Sequence, residues 1–289
     1  MIYQTNFSDQ IQNLVFMLAR RYGNQAKTIS SVSDLGLMYR NYLKEVQGRE
    51  ASTIDQLVIS TDYEKAASMA IAFNGEADSM LDDMEQSSII KMENYPNVDL
   101  QRIKVENAIQ ELGLLSSDHY SLLHLFITDI FILPSNGARG GSSSDSIGLI
   151  WANPKESYPI TDVVEFLIHE LTHHCMFIDE QRYGHYNYQN ILDNTNWADS
   201  AILKKPRPID KVLHSIIVSL EIILFRDLVI GHPIKPKVHP PTTMLIDQIK
   251  KSIVSIKNII SINMDKNKIL VSARGMDLLS NAENTIASY

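Results

Sequence analysis

The segment 209–229 most constrains the fold, because its apolar residues lie nearly all the way round a predicted helix. A helix of this kind is stable only when neighbouring elements cover it on most sides. The chain must therefore fold round this segment, and with 44% apolar residues among 289 it can build a substantial core. The apolar positions are Val212, Leu213, Ile216, Ile217, Leu220, Ile223 and Leu224.

The remaining pattern predicts a mainly helical α+β protein with one short strand, 147–151. The segment 183–208 is polar, and we expect it to be irregular, whereas the tail from residue 263 is weakly patterned. A Gly- and Ser-rich loop, 134–146, marks a change in composition. We therefore expect a helical scaffold or substrate-docking region over 1–133 and a metal-binding catalytic region over 134–289, which can also form one continuous domain. Helical periodicity predicts helices over 7–22, with Ser8 as a cap, and over 34–46, 63–73, 74–93, 98–114, 161–177 and 243–262.

Charge and composition exclude several classes of protein. The net charge of −8, without clustered Lys and Arg, argues against a nucleic-acid partner. No apolar run has the length of a membrane span, and the first residues lack the features of a secretory signal. The single cysteine, Cys175, excludes an internal disulfide and favours a reducing, cytoplasmic setting; we expect it to be a buried thiol.

The predicted helix 161–177 contains an HExxH motif, His169-Glu170-Leu171-Thr172-His173. Residues four apart lie on the same face of a helix, so both imidazoles can bind one metal ion. Glu170 can hold or deprotonate a water molecule on that metal, or act as a hydrogen-bonding partner behind the ligands. His174 lies about 100° from His173 round the helix, so we do not expect it to bind the same ion.

A metal site of this kind needs a third protein ligand, and the apolar segment 209–229 offers His214 and Glu221. They are seven residues apart and so return to nearly the same helix face. Ionised groups in such a helix are costly unless they are paired or bind a metal. A satisfied core histidine remains open for His214, and a carboxylate hydrogen-bonded to a histidine or to Arg226 remains open for Glu221.

Known zinc-peptidase patterns fit only partly. The metzincin extension requires Gly and His where this chain has Met176 and Asp179, so it fails. A thermolysin-like zinc peptidase remains open, with Glu221 as third ligand and Glu170 as base. The oxyanion in that reading would be stabilised by Tyr183, His185 or Tyr186.

The order of the Ser-rich loop, the strand 147–151, the HELTHH helix, then Arg207-Pro208 and Leu213-His214 resembles the HExxH-type peptide-modification proteins. The resemblance covers roughly residues 142–230, with Ser215 where a glycine often follows the histidine. It implies Fe(II)- and 2-oxoglutarate-dependent β-hydroxylation of ribosomally made peptides. It also implies that His169, His173 and His214 bind the metal and that Arg207 binds the distal carboxylate of the cosubstrate.

The leading hypothesis is accordingly a non-haem Fe(II)/2-oxoglutarate-dependent hydroxylase acting on a peptide or a peptide-bound amino acid. Three protein ligands leave positions for a bidentate 2-oxo acid and for dioxygen. A guanidinium suits a carboxylate because it can bind both oxygens, and Arg226 is the rival of Arg207 for that role. A zinc-dependent metallopeptidase or other hydrolase is the alternative, and a metal-containing binding protein without turnover is a third class. Imidazole ligands suit iron and zinc alike.

Overall fold

A computed structural model describes residues 4–48, 57–71, 98–135, 139–200 and 205–289 of the chain. The predicted helix 74–93 lies outside these ranges. Within them the protein is mainly helical with a small sheet, which confirms the predicted mainly α (α+β) class. The chain forms two compact units, Thr5–Ile178 and Asp179–Tyr289 with Met1–Gln4. This division falls inside a helix, whereas the change in composition lies at residue 134.

The unit Thr5–Ile178 contains the predicted helices with small shifts at their ends. The first begins after Asn6, whose side chain accepts a hydrogen bond from the Asp9 backbone N–H at 3.0 Å, so Asn6 and not Ser8 is the cap. The second ends at Gly48, whose φ of 64° suits the left-handed conformation. The helices are α1 (Phe7–Tyr22), α2 (Val32–Gln47), α3 (Tyr63–Ile71), α4 (Asp99–Leu115), α5 (Ser117–Phe126) and α6 (Ile160–Tyr183), which continues into the second unit.

A four-stranded sheet lies in the same unit, where the sequence predicted one strand. Its strands are β1 (Val58–Ser60), β2 (Asp129–Ile132), β3 (Gly140–Ser142) and β4 (Leu149–Ala152), in the order β1-β2-β4-β3. β1, β2 and β4 are parallel, and β3 is antiparallel to β4. Every residue of β2 and β4 is buried, as in a sheet covered on both faces. The prediction missed three strands because they are only three or four residues long.

The second unit is built round the predicted apolar helix, α8 (Ile209–Phe225), which ends in one π-helical turn, Arg226–Ile230. Fifteen of its 17 residues are buried, and α9 (Thr242–Met264) and α10 (Ala273–Ile286) pack against it. The buried-helix prediction is therefore confirmed. The smaller elements are α7 (Tyr188–Ile191) and the antiparallel strands β5 (Ala198–Ser200) and β6 (Lys205–Arg207).

The tail after residue 263, which is weakly patterned in sequence, contains the helix α10. Ser272 accepts a hydrogen bond from the Gly275 backbone N–H at 3.2 Å and so caps the helix. Its buried residues include Leu278, Leu279 and Ala282, a spacing of one side of a helix. None of the helices in the described ranges combines the length and the apolar character needed to cross a bilayer.

Candidate metal centre

The HExxH motif lies in the middle of α6, and its two histidines point their Nε2 atoms at one another. These atoms are 3.2 Å apart, and the ring centroids of His169 and His173 are 4.9 Å apart. Two imidazoles that share one ion, with metal–nitrogen bonds of about 2.0–2.1 Å at angles of 90–110°, have nitrogens about 2.9–3.4 Å apart. Both side chains are partly exposed. The pair therefore fits a shared metal ion without moving.

Glu170 lies beside this pair and is buried. Its Oε2 accepts a hydrogen bond from the Ser142 hydroxyl at 2.7 Å, and its Oε1 lies 4.0 Å from His169 Nε2. Burial raises the pKa of Glu170 to about 8, and the hydrogen bond from Ser142 partly opposes that rise. The carboxyl group is thus held by one oxygen while the other faces the histidine pair.

Three side chains in or next to the motif have structural surroundings. The backbone N–H of Gly148 donates to His174 Nδ1 at 3.2 Å, which links α6 to the residue before β4. Thr172 donates its hydroxyl to the Ile168 carbonyl at 2.7 Å, within α6 itself. Cys175 is buried, as predicted.

His214 lies in the second unit, on α8, and is almost completely buried. Burial, together with the nearby His185 and Lys211, lowers its pKa to about 3. The imidazole is therefore neutral at physiological pH, which is the form that binds metal ions. His214 has the protonation state that a third ligand requires.

Glu221 and Arg226, also on α8, have partners in the second unit. The backbone N–H of Gln4 donates to Glu221 Oε2 at 2.8 Å. Arg226 donates from Nη1 to the Pro240 carbonyl at 2.9 Å and to Thr242 Oγ1 at 3.1 Å, which ties the π-helical turn to the start of α9. Arg226 therefore has a structural role at this turn.

Arg207 ends β6, two residues before α8, and is buried. Its charge helps to lower the pKa of Asp210, whose pKa burial nevertheless raises overall. Among the predicted site residues, the structure thus groups His169, Glu170 and His173 in the unit Thr5–Ile178. The others lie in the unit Asp179–Tyr289: Arg207, His214, Glu221 and Arg226.

A buried ionic network in the second unit was missed from the sequence. The Asp179 carboxylate accepts the Nε2–H of His185 at 2.7 Å and two hydrogen bonds from Arg274, at 2.8 and 3.0 Å. Burial alone would raise the pKa of Asp179, but these hydrogen bonds and the Arg274 charge outweigh it and lower the pKa. Arg274 lies 95 residues from Asp179, so local spacing carries no signal for the pair.

The three oxyanion candidates of the peptidase alternative lie beside this network. His185 donates a hydrogen bond from Nε2 to Asp179. The Tyr183 ring makes cation–π contacts with the guanidinium groups of Arg182 and Arg274. Burial, together with the negative charges of Glu180 and Asp210, raises the pKa of Tyr186 well above its ordinary value. Tyr186 is thus a neutral phenol at physiological pH.

Comparison with known proteins does not identify a family. No protein-family model matches the chain, and no curated protein is detectably similar to it. The side-chain geometry of the two units is therefore the basis for inferring function.

Proposed function

We propose that this chain is a non-haem Fe(II)- and 2-oxoglutarate-dependent hydroxylase that acts on a peptide or a peptide-bound amino acid. The observation that supports a metal site is the 3.2 Å separation of the His169 and His173 Nε2 atoms. That separation is what two imidazoles on one ion require. The proposed protein is cytoplasmic, in keeping with its single cysteine.

His214 is the proposed third ligand. It is neutral, because burial lowers its pKa to about 3, and so its ring can offer a nitrogen lone pair to a metal ion at any physiological pH. Glu221 is the weaker choice because its Oε2 already accepts the Gln4 backbone N–H at 2.8 Å. A set of three neutral imidazoles leaves the charge of the ion for anionic partners such as a 2-oxo acid.

Arg207 is the proposed partner for the distal carboxylate of 2-oxoglutarate. The rival, Arg226, donates from Nη1 to both Pro240 and Thr242, and this role in holding the turn after α8 makes it less suited to a ligand. A guanidinium can bind both oxygens of a carboxylate, which fixes the orientation of the cosubstrate. We expect Arg207→Ala to weaken cosubstrate binding and to leave metal binding unchanged.

Each group has a separate task in the proposed reaction. Bound iron and 2-oxoglutarate supply the activation of dioxygen that hydroxylates a C–H bond. His169, His173 and His214 hold the ion, Arg207 orients the cosubstrate, and Glu170 presents a carboxyl oxygen to the histidine pair from 4.0 Å. The protein thus contributes binding and orientation.

A zinc-dependent hydrolase is the second candidate, and the position of Glu170 favours it. A carboxyl oxygen 4.0 Å from a ligand nitrogen is placed to reach a water molecule on the metal. In that reading Glu170→Gln keeps zinc and loses nearly all hydrolysis. Hydrolysis that survives in Glu170→Gln would remove the base assignment.

The first experiment measures oxygen consumption by anaerobically purified protein given Fe(II), with and without 2-oxoglutarate, together with metal analysis. We expect uptake that requires the oxo acid and is lost in His214→Ala. The control is His124→Ala, at a partly exposed histidine on α5, which should behave like the wild type. Absence of uptake, with one tightly held zinc, would overturn the oxygenase in favour of the hydrolase. A His214→Ala variant that keeps both metal and activity would overturn the ligand assignment.

A further inference from the structure

We propose that Ser142 is a positioning residue for the metal centre, because its hydroxyl holds the Glu170 carboxyl with one oxygen turned toward the histidine pair. This inference rests on the proposed function, since it requires a metal ion at His169 and His173. It adds a role for Ser142, which lies in the Gly- and Ser-rich segment 134–146.

The backbone of β3 explains how the hydroxyl reaches α6. Gly140 has φ of 151°, and a Cβ at that position would collide with the Trp151 carbonyl oxygen and the Phe166 ring. A side chain is therefore excluded there, and β3 lies directly against Phe166. Phe166 and Glu170 are four residues apart and share one face of α6. The glycine thus brings the strand up to the helix face that carries Glu170.

The geometry of β3 explains why Ser142 is the residue that contacts Glu170. Side chains two residues apart on a strand point to the same side, so Ser142 points to α6 as a Cβ at Gly140 would. The pairing of Ser142 with Ile150 of β4 fixes its height along the sheet. Ser142 and Glu170 are both buried, and the O–H donates to Oε2 at 2.7 Å. The contact therefore follows from the backbone of two elements, not from a mobile side chain.

The hydrogen bond restricts the carboxyl group to one orientation. In the part of the chain that the structure describes, Ser142 is the one hydrogen-bond donor to Glu170. With Oε2 held, Oε1 lies 4.0 Å from His169 Nε2. Loss of the hydroxyl would leave a buried oxygen without a partner, and the carboxyl would rotate to find another. Outer partners of this kind change activity or metal affinity by about 10- to 100-fold when they are removed.

The test compares Ser142→Ala, Ser142→Thr and the wild type, with Ser144→Ala as a control on an exposed serine of the same segment. Two quantities are measured in each purified full-length protein: the affinity for Co²⁺, by competition with a chromophoric chelator, and the visible spectrum of bound Co²⁺. Oxo-acid-dependent oxygen uptake with Fe(II) is measured alongside. If Ser142→Ala does not fold, Ser142→Val against Ser142→Thr gives the same comparison between side chains of equal shape.

We expect Ser142→Ala to bind Co²⁺ with an altered spectrum and to lose about 10- to 100-fold in uptake, while Ser142→Thr and Ser144→Ala match the wild type. A Ser142→Ala protein with the wild-type spectrum and uptake would overturn the positioning role and leave the proposed function intact. A wild-type protein that binds no Co²⁺ would overturn both.

Discussion

The histidines of the HExxH motif and the buried His185, which lie in different compact units, have opposite environments. In the unit Thr5–Ile178, His169 and His173 are partly exposed and aim their Nε2 atoms at one point, 3.2 Å apart. In the unit Asp179–Tyr289, His185 is completely buried and donates its Nε2–H to Asp179, which Arg274 holds by two further hydrogen bonds.

The difference shows that the partner of an imidazole determines whether the histidine stabilises the fold or can bind a metal ion. A carboxylate fixed by a guanidinium binds the histidine so firmly that the pair stabilises the fold. Two imidazoles on one helix face, with their Nε2 atoms directed at one point, present a pair of donor atoms to an ion. We therefore expect changes in the first unit to alter metal binding and changes in the second to alter stability.

The largest expected effect comes from breaking the ionic network with Asp179→Asn. Removing this carboxylate leaves the Arg274 charge and the buried His185 without their partner, which we expect to lower the free energy of unfolding by about 3–5 kcal/mol. Chemical denaturation measures the change. Glu283→Gln, which breaks an exposed pair with Lys257, is the control and should cost less than about 1 kcal/mol. A loss below that level in Asp179→Asn would show that the network does not support the fold.

Acid should weaken the unit Thr5–Ile178 through His119. Burial lowers the pKa of His119 from 6.5 to about 4. Between these two pH values His119 is protonated in the unfolded chain and neutral in the folded chain. Stability should fall by about 3 kcal/mol as the pH drops from about 6.5 to about 4, and then level off for this group. Asp179, whose pKa is lowered, contributes stability above its ordinary value of 3.8 that is lost only below it.

Denaturation of the wild type and of His119→Gln across this pH range isolates the contribution of His119. His119 lies between hydroxyl partners, Thr5 Oγ1 at 2.8 Å and Ser116 Oγ at 2.6 Å, and glutamine cannot take up the proton. The variant should have a flatter profile between pH 6.5 and 4. An unchanged slope would mean that His119 is not the residue responsible.

Substitution of a metal ligand in the unit Thr5–Ile178 should lower metal affinity and leave stability nearly unchanged. We expect His173→Ala to lower the affinity for Zn²⁺ or Co²⁺ by at least about 100-fold, since even outer partners of a ligand are worth 10- to 100-fold. The unfolding curve of the metal-free protein should stay close to that of the wild type, because His173 is partly exposed. Chelator competition gives the affinity, and an affinity equal to that of the wild type would contradict the site.

The smallest expected effect is at a helix end, where neither a metal nor a buried charge is involved. Asn6→Ala removes the oxygen that accepts the Asp9 N–H at 3.0 Å and should cost about 1 kcal/mol. Metal affinity should not change. A loss of metal binding in Asn6→Ala would mean that stability and the site are coupled within this unit, which would weaken the comparison.

Much of the helical framework was predictable, because helices depend on local periodicity. The pattern of α1 predicted its range, 7–22, although not its cap, and α8 was predicted as a buried helix from its apolar residues. The sheet was not predictable in the same way. β3 has the sequence Gly-Gly-Ser, which is typical of a loop, and it becomes a strand only because β4 pairs with it.

The candidate site shows the same division. His169 and His173 were predicted as a pair because four residues make almost one helical turn. Ser142 was not predicted as a partner of Glu170, since the contact joins residues 28 apart through the packing of a strand on a helix. His185 was predicted only as an alternative oxyanion group, and its Nε2 proved to be bound to Asp179.

The amino-acid sequence by itself determined the mainly helical class, the burial of α8 and the shared face of the HExxH histidines. Each of these depends on a period of 3.6 residues, which any local stretch of chain expresses. Only the tertiary structure decided which side chains hold Glu170 and Asp179, and that a Gly-Gly-Ser segment forms a strand. Those contacts join distant parts of the chain, and their energies arise only when packing removes water from both partners.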